Sequence, residues 1–288
     1  MAARDAQAPL SARLQFVRAT LLLLVVLALS VLLQLLLVSP LQQRAAQQTA
    51  FDQIRGDLAA GTAPVAAGDL KVKKGAPIGY LEVPSIGLRQ VVVEGTDAGE
   101  LLKGPGHRRD TPLPGQVGTS VVMGRRAAFG GPFADIASLE KGAKIRATTG
   151  AGVFDYRVLG VRRSGDPAPL ELAAGEGRIV LVTADGPAFV PSGLVLVDAD
   201  LVGVGVSGAR PVLTASTLPD SEKLLSIDTS TLWRLLLWVQ ALILVVLGAV
   251  WAWLRWNPMK AWITFVPALL LVGLFTAGEA TRLLPNLL

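Results

Sequence analysis

The sequence contains no cysteine and a single histidine, His107. Without cysteine, the chain forms no disulfide bond, carries no thiolate nucleophile and offers no zinc–thiolate site. The net charge of +5 is not arranged as a stripe of Lys and Arg interleaved with aromatic residues, so we expect no nucleic-acid partner. These absences exclude thiol chemistry and direct attention to the apolar part of the composition.

Hydrophobic residues make up 51% of the 288 residues, and many are concentrated in three runs at 19–38, 232–254 and 261–278. A helix of about 20 apolar residues spans the roughly 30 Å of a bilayer core. The first run is longer than the about 7–15 apolar residues of a signal peptide and lacks a clean A-x-A cleavage site after it, which favours an uncleaved anchor. A buried helical hairpin is the alternative for the other two runs. The sequence therefore predicts three transmembrane helices.

The distribution of positive charge predicts their orientation, because Lys and Arg are enriched in cytoplasmic segments. Residues 1–18 carry three arginines and one aspartate, and the short connection 255–260 is basic and flanked by tryptophans. Both are therefore predicted to be cytoplasmic. The domain between the first two spans and the tail 279–288 are then extracytoplasmic, and the protein is a multi-pass protein of the cell membrane.

The central part of the chain divides into three predicted segments. Residues 39–76 are rich in Ala and Gln and predict a stalk, helical over 42–58 and a flexible tether after that. Residues 77–206 contain short apolar runs punctuated by Gly and Pro, which indicates a closed, mainly β barrel with short helices at 97–103 and 132–139. Residues 207–231 predict a linker. The predicted strands are 78–83, 90–94, 119–123, 144–149, 153–161, 178–182 and 194–204.

Residues 79–205 contain a series of short motifs: GYLEVPSIGL at 79–88, VEGT at 93–96, LKGPGH at 102–107, TPLPGQVG at 111–118, VMGRR at 122–126, FGGPF at 129–133, LEKG at 139–142 and FDYRV at 154–158. In their order and spacing they resemble a sortase domain of the class C, D or E type, the surface transpeptidases of Gram-positive bacteria. The resemblance covers a little under half of the chain and implies a sortase-like β-barrel.

The resemblance also implies where the chemistry would be. In sortases a cysteine thiolate attacks the threonyl carbonyl of a sorting signal such as L-P-x-T-G, a histidine protonates the leaving amine and an arginine stabilises the oxyanion. The matching positions here are Ala184, Arg125 and Gly193. All three catalytic groups are therefore predicted to be missing, and we assign no catalytic residue.

Other residues near these positions are candidates for a groove. His107 either acts as a base on Thr111 or Ser120 or bonds to a loop, and the second interpretation is favoured. Thr183 and Ser192 carry hydroxyl groups, but a hydroxyl nucleophile needs an adjacent base. Asp185 is a further groove candidate, as a base or a ligand-gripping carboxylate, although a surface or turn residue is favoured. Arg126, with Arg125, either grips an acidic group or is a structural partner of Asp185 or another carboxylate.

Asp198 and Asp200 alternate on a strand and share a face, but further acidic ligands are lacking, so no metal site and no cofactor are predicted. Three interpretations of function stay open. The first is an inactive sortase homologue that serves as an extracytoplasmic scaffold or a peptide- or protein-binding subunit of an envelope complex. The second is a transpeptidase or acyltransferase with a hydroxyl nucleophile. The third gives the main role to the membrane helices and makes the barrel a sensor. The protein partner and the oligomeric state stay unassigned.

Overall fold

The computed structural model describes residues 12–66, 72–208, 210–255 and 258–288, and these form two compact units. One unit contains the chain up to Gln34 together with residues 232–280, and the other contains residues 35–231 together with 281–288. The predicted N-terminal tail and the loop at 255–260 lie partly outside the described residues, at 1–11 and 256–257.

The first unit is helical. It contains α1 (Ala12–Leu33), α4 (Leu232–Arg255) and α5 (Pro258–Arg282), and a π-helical turn at Gln34–Val38 follows α1. Among the described residues, three helical stretches are long and apolar enough to cross a membrane: Leu24–Ala60, Thr229–Trp253 and Met259–Arg282. This confirms the three predicted apolar helices. Trp238 stacks on Phe275 with ring centroids 4.6 Å apart, which ties α4 to α5.

The second unit is built on a closed barrel of eight strands in the order β1-β2-β3-β4-β7-β8-β6-β5. Their bounds are β1 Pro77–Val83, β2 Leu88–Glu94, β3 Gly106–His107, β4 Gly118–Met123, β5 Lys144–Thr149, β6 Gly152–Arg163, β7 Gly177–Asp185 and β8 Gly193–Leu201. The β2/β3 and β4/β7 pairs are parallel and the others antiparallel. The predicted mainly β barrel is confirmed, and closure leaves the sheet without free edges.

Inward-pointing residues of the strands fill the barrel. They include Leu81, Val92, Val122, Ile145, Tyr156, Leu181 and Val197, all at most 1% exposed. The short helix predicted at 132–139 is reduced to a 3-10 turn at Ile136–Ser138, and Phe133, Ile136 and Leu139 are buried. The other predicted helix is a single turn, α3 (Ala98–Leu101), whose N-cap Asp97 accepts a hydrogen bond from Glu100 N.

The predicted stalk is attached to the barrel over most of its described length. α2 (Ser39–Ala60) buries Ile54 against Val91 and Ala63, and Phe51 packs on Tyr80 with centroids 5.8 Å apart. The helix is longer than the predicted 42–58. Since Ala63 is 6% exposed, the chain stays on the barrel for at least three residues beyond α2. Residues 67–71 of the predicted tether lie outside the described residues.

Candidate functional site

The structure places Arg125, Ala184 and Gly193 at one end of three neighbouring strands. Gly124 N donates to Val182 O at 3.0 Å, which holds the turn after β4 against β7. In the β7/β8 pair, Gly193 faces Asp185, the residue after Ala184. Gly124 fits here because a Cβ at this position would lie 2.5 Å from the ring of Phe133. The three positions that the resemblance identified therefore belong to one region of the barrel.

β7 is buried on both faces, because its residues alternate between two apolar clusters. Ile179 and Leu181 point into the barrel, and Val180, Val182 and Ala184 point outward. The outward residues share a cluster with Leu101 and Met123, flanked by Val121, Leu194, Leu196 and Leu225. We call this outer surface, made by Leu101, Met123, Val180, Val182 and Ala184, the β7 groove.

Ala184, which the resemblance aligns with the nucleophile of sortases, contributes an apolar wall to this groove. Ala184 is fully buried, and its side chain has no group that could attack a carbonyl. The neighbouring Thr183 is also fully buried, and its hydroxyl donates to Gly124 O at 2.8 Å. Ser192 is exposed and its backbone N–H donates to Asp185 O at 2.9 Å. The Thr183 proton is therefore held by a backbone carbonyl and not by a base.

Arg125 is the largest fully buried side chain of the described residues. Its guanidinium donates to Leu288 O at 3.0 Å and to Ala98 O at 3.2 Å, and it lies 5.2 Å from the ring centroid of Phe129. Burial lowers the pKa of Arg125 to about 9, so the group keeps its proton at neutral pH. Arg125 therefore acts as a fixed donor to main-chain oxygens.

The alternative in which Arg125 or Arg126 pairs with Asp185 is not the arrangement in the structure. Asp185 accepts a hydrogen bond from Arg163 Nε at 3.1 Å. Arg163 lies on β6 and Asp185 on β7, so this exposed pair spans the intervening strand β8. Arg126 donates to Ala184 O at 3.3 Å, and no side-chain carboxylate pairs with Arg125 within the described part of the chain. The Ala184 carbonyl is within reach of Arg126 because the turn at 124–126 lies against the end of β7.

His107 belongs to a buried polar cluster at β3. Its Nδ1 lies 2.9 Å from Glu94 Oε2, and its Nε2 lies 3.0 Å from Pro112 O. Burial opposes a charge on the ring, but the Glu94 carboxylate outweighs it and raises the pKa of His107. A ring that donates from both nitrogens has no lone pair to accept a proton. The hydroxyl of Thr111, 3.2 Å from Nε2, donates to Arg108 O at 2.7 Å, so this geometry favours the loop-bonding interpretation.

Asp198 and Asp200 are paired with arginines. Arg162 contacts both oxygens of Asp198 at 2.5 and 3.3 Å, and Arg178 Nε donates to Asp200 at 2.6 Å. Within residues 12–66, 72–208, 210–255 and 258–288, no group of three or more His, Asp or Glu side chains is arranged to hold a metal ion. The arginines supply the positive charge that these carboxylates need.

Residues near the end of the sequence complete the β7 groove, and the sequence reading had placed them in a plain tail. Leu287 and Leu288 are 0% and 3% exposed and belong to the same cluster as Ala184. Asn286 is fully buried and donates through Nδ2 to Thr96 O and Lys223 O, both at 2.8 Å. The two leucines after Pro285 were visible in the sequence as an apolar pair. Nothing in that local pattern indicated that Leu288 contacts Arg125, which lies 163 positions away.

The linker predicted at 207–231 also packs on this end of the barrel. Glu222 is fully buried and forms a bidentate ion pair with Arg109. The hydrogen bond to Glu222 is the main cause of the raised pKa of Arg109. Thr96 Oγ1 donates to Glu222 O at 2.7 Å. Because Thr96 also accepts from Asn286 through its carbonyl, the linker, the β2–α3 connection and the end of the chain meet at one place.

Part of the barrel region matches a family model. Residues 81–202 match the family model described as Sortase domain. Sortase D of Bacillus subtilis (strain 168) is 37% identical over 89 residues, which are 31% of this chain and 43% of that protein. The chain thus spans less than half the length of this curated relative.

Two solved structures are also similar to the chain. A Clostridium perfringens Sortase D5 transpeptidase is 20% identical, with 55% of this chain and 99% of that chain covered and a TM-score of 0.47. C. perfringens sortase C, determined with the C-terminal cell wall sorting motif, is 23% identical, with 56% and 89% covered and a TM-score of 0.42. Over residues 81–202, which contain most of the barrel, the chain is similar to the sortase family.

Proposed function

We propose that this protein is a non-catalytic member of the sortase family whose barrel binds a peptide or protein at the cell envelope. The observation that carries the proposal is the chemistry of the β7 groove. Its nucleophile position is the buried Ala184, and the sequence contains no cysteine elsewhere that could replace it. A groove that keeps its walls and lacks a nucleophile is suited to binding without turnover.

The contacts of Arg125 and Gly193 support the same conclusion. Arg125 donates hydrogen bonds to two main-chain oxygens, so it is not placed to deliver a proton to a leaving amine. Gly193 has no side chain to stabilise an oxyanion. The hydroxyl alternative is less favoured, since Thr183 donates to Gly124 O and Ser192 has no base bonded to it among the described contacts.

The test is a transpeptidation assay on the full chain in lipid nanodiscs. We expect no cleavage of a fluorogenic L-P-x-T-G peptide above the buffer rate, with or without an amine acceptor. Ala184→Cys alone should also be inactive, because the base and the oxyanion donor are still missing. A catalytically competent sortase in the same nanodiscs is the positive control.

Turnover by the unmodified chain would contradict the proposal. In that case Thr183→Val and Ser192→Ala identify the nucleophile. If one of these hydroxyl groups is the nucleophile, the variant that lacks it loses turnover. Both substitutions keep the approximate size of the side chain. Unchanged turnover in both variants would exclude these two hydroxyl groups.

The membrane arrangement is part of the proposal. We propose that the barrel and residues 281–288 are extracytoplasmic, as the basic segments 1–18 and 255–260 predict. The hydrogen bonds of Asn286 and Leu287 to barrel residues support the proposal that this segment and the barrel lie on the same side of the membrane. The cysteine-free sequence allows a direct test. Leu170→Cys, at a loop position that is 89% exposed, should react with a membrane-impermeant maleimide in intact cells. Ala2→Cys should react only after permeabilisation.

A further inference from the structure

We propose that residues 285–288 are a resident peptide ligand of the β7 groove, held in cis, and that the groove accepts short peptides of the same Pro-Asn-Leu-Leu type when this segment is displaced. The inference rests on the proposed function, because it takes the groove as a binding site. It goes further by naming the ligand and the reason why the site is closed.

The two leucines at the end of this segment occupy the apolar part of the groove. Leu287 and Leu288 are buried as deeply as the strand residues around them and share a cluster with Val180, Val182 and Ala184. Without these leucines, a row of apolar side chains on the outer face of β7 would lose part of its cover. Exposed apolar rows of this kind are typical of binding surfaces.

The turn after β4 supplies the polar recognition. Arg126 N donates to Leu287 O at 2.9 Å, and Arg125 Nη1 donates to Leu288 O at 3.0 Å. Two successive carbonyls of the segment are therefore bonded to two successive residues of the turn. The side chain of Arg125 is long enough to make the second of these bonds. It has four further donor hydrogens, one of which is directed at Ala98 O.

Asn286 gives the segment its specificity. Its side-chain amide donates to the carbonyls of Thr96 and Lys223, and its backbone N–H donates to Ser226 O at 3.0 Å. Both carbonyls require a donor, so an aspartate of the same shape would place an acceptor against acceptors in a buried position. The groove therefore distinguishes Asn from Asp at this position of its ligand.

The segment is also preorganised. Leu288 N donates to Pro285 O at 3.0 Å, which closes a turn, and Pro285 has its φ angle fixed by the ring. A ligand that is already close to its bound shape loses less conformational entropy on binding. Because the segment is part of the same chain, its effective concentration is of the order of millimolar or higher, and a free peptide competes poorly.

The closing experiment measures protection of a single thiol. Ala184→Cys in the full chain creates the only cysteine, in the wall of the groove, and its rate of reaction with a maleimide reports whether the groove is covered. We expect at least tenfold faster labelling when Asn286→Asp or Leu287→Asp is added. Leu170→Asp, at an exposed site away from the segment, is the matched control and should leave the rate unchanged.

A synthetic peptide distinguishes ligand release from a general loosening of the barrel. Added to the Asn286→Asp variant, acetyl-Thr-Arg-Leu-Leu-Pro-Asn-Leu-Leu should restore the slow rate, and the same peptide with Asp for Asn should not. Equal labelling with and without the segment substitutions would overturn the inference, as would a failure of the peptide to restore protection. A second measurement needs no variant: the Arg126 amide should be protected from hydrogen exchange in the unmodified chain, and rapid exchange there would also overturn it.

These outcomes are independent of the test of catalysis. A chain without turnover whose thiol is unprotected would refute the resident ligand and leave the non-catalytic assignment intact. A chain that cleaves the L-P-x-T-G peptide would refute the non-catalytic assignment, whatever the labelling rate.

Discussion

Gln47 bonds to Val91 through both ends of its side-chain amide. Its Oε1 accepts from Val91 N at 2.7 Å, and its Nε2 donates to Val91 O at 3.1 Å and to Lys103 O at 2.8 Å. The side chain of Gln47 thus bonds to the main-chain N–H and C=O of β2, as a neighbouring strand would. It does so at Val91, whereas β3 pairs with β2 at Val93 and Glu94. α2 is fixed to the barrel by these bonds as well as by its apolar face.

We expect Gln47→Ala to lower the free energy of unfolding of the barrel unit by about 1–3 kcal/mol, because it leaves a backbone N–H and two carbonyls without their partner. Gln48→Ala is the matched control: Gln48 is the next residue of the same helix and is exposed, so its loss should change stability by less than about 0.5 kcal/mol. Hydrogen exchange of β1 and β2 amides in the full chain measures both. Equal effects of the two substitutions would contradict the role given to Gln47.

Arg125→Ala is expected to destabilise the barrel unit by about 2–4 kcal/mol. The substitution empties the site of a large buried side chain and leaves the carbonyls of Ala98 and Leu288 without their donor. The alanine variant no longer buries a charge, and the desolvation free energy that it avoids offsets part of this cost. Arg157→Ala is the control, since Arg157 also donates to a carbonyl, Gly142 O at 3.1 Å, but from an exposed position. Denaturant unfolding followed by hydrogen exchange should separate the two, and a neutral Arg125→Ala would show that neither bond contributes to stability.

The buried pair of His107 and Glu94 makes stability depend on pH. The pKa of His107 is raised in the folded chain, so the folded state holds its proton more tightly than the unfolded state does. The stabilisation is therefore fully present below the unfolded pKa of about 6.5 and is lost as the pH rises through the folded value. Unfolding between pH 5.5 and 9 should show a decline of at most about 1.4 kcal/mol per pH unit from this group.

His107→Gln should remove that part of the pH dependence, because its amide can still donate to Glu94 but does not titrate in this range. Glu94→Gln should reduce it as well, since the neighbouring Asp110 is then the remaining carboxylate that raises the pKa. Parallel pH profiles for the unmodified chain and His107→Gln would show that His107 is not the titrating group.

The strands were predictable because their residues alternate in a way that the barrel then uses. In β5, the sequence K-I-R-A places Ile145 and Ala147 in the core and Lys144 and Arg146 outside. β3 was not predicted, since a two-residue strand, Gly106–His107, is too short to show any period. The stalk was predicted as helical, but its attachment depends on glutamines whose partners lie 44 to 56 residues away.

The positions of Ala184, Arg125 and Gly193 came from the order of motifs around them, and the structure brings these positions together. The occupant of the groove was not predictable in this way. Local patterns describe a residue's own element, whereas Asn286 is bonded to Thr96 over 190 positions and Arg109 to Glu222 over 113. The pairing of Asp185 with Arg163 was missed for the same reason, because the register of β6, β7 and β8 decides it.

Two glycines of the barrel unit give opposite predictions for the same substitution. Gly124→Ala should destabilise the unit by about 1–3 kcal/mol, because its Cβ would lie 2.5 Å from the Phe133 ring and displace the turn that carries Arg125. Gly56→Ala, in α2 with no atom within 4 Å of the added Cβ, should stabilise it by about 0.5–1 kcal/mol through helix propensity. The unfolding midpoint of each variant in nanodiscs, measured against the unmodified chain, tests both signs. If Gly124→Ala also sped the labelling of Cys in an Ala184→Cys background, the displaced turn would be the cause, since Arg126 of that turn holds Leu287 in the groove.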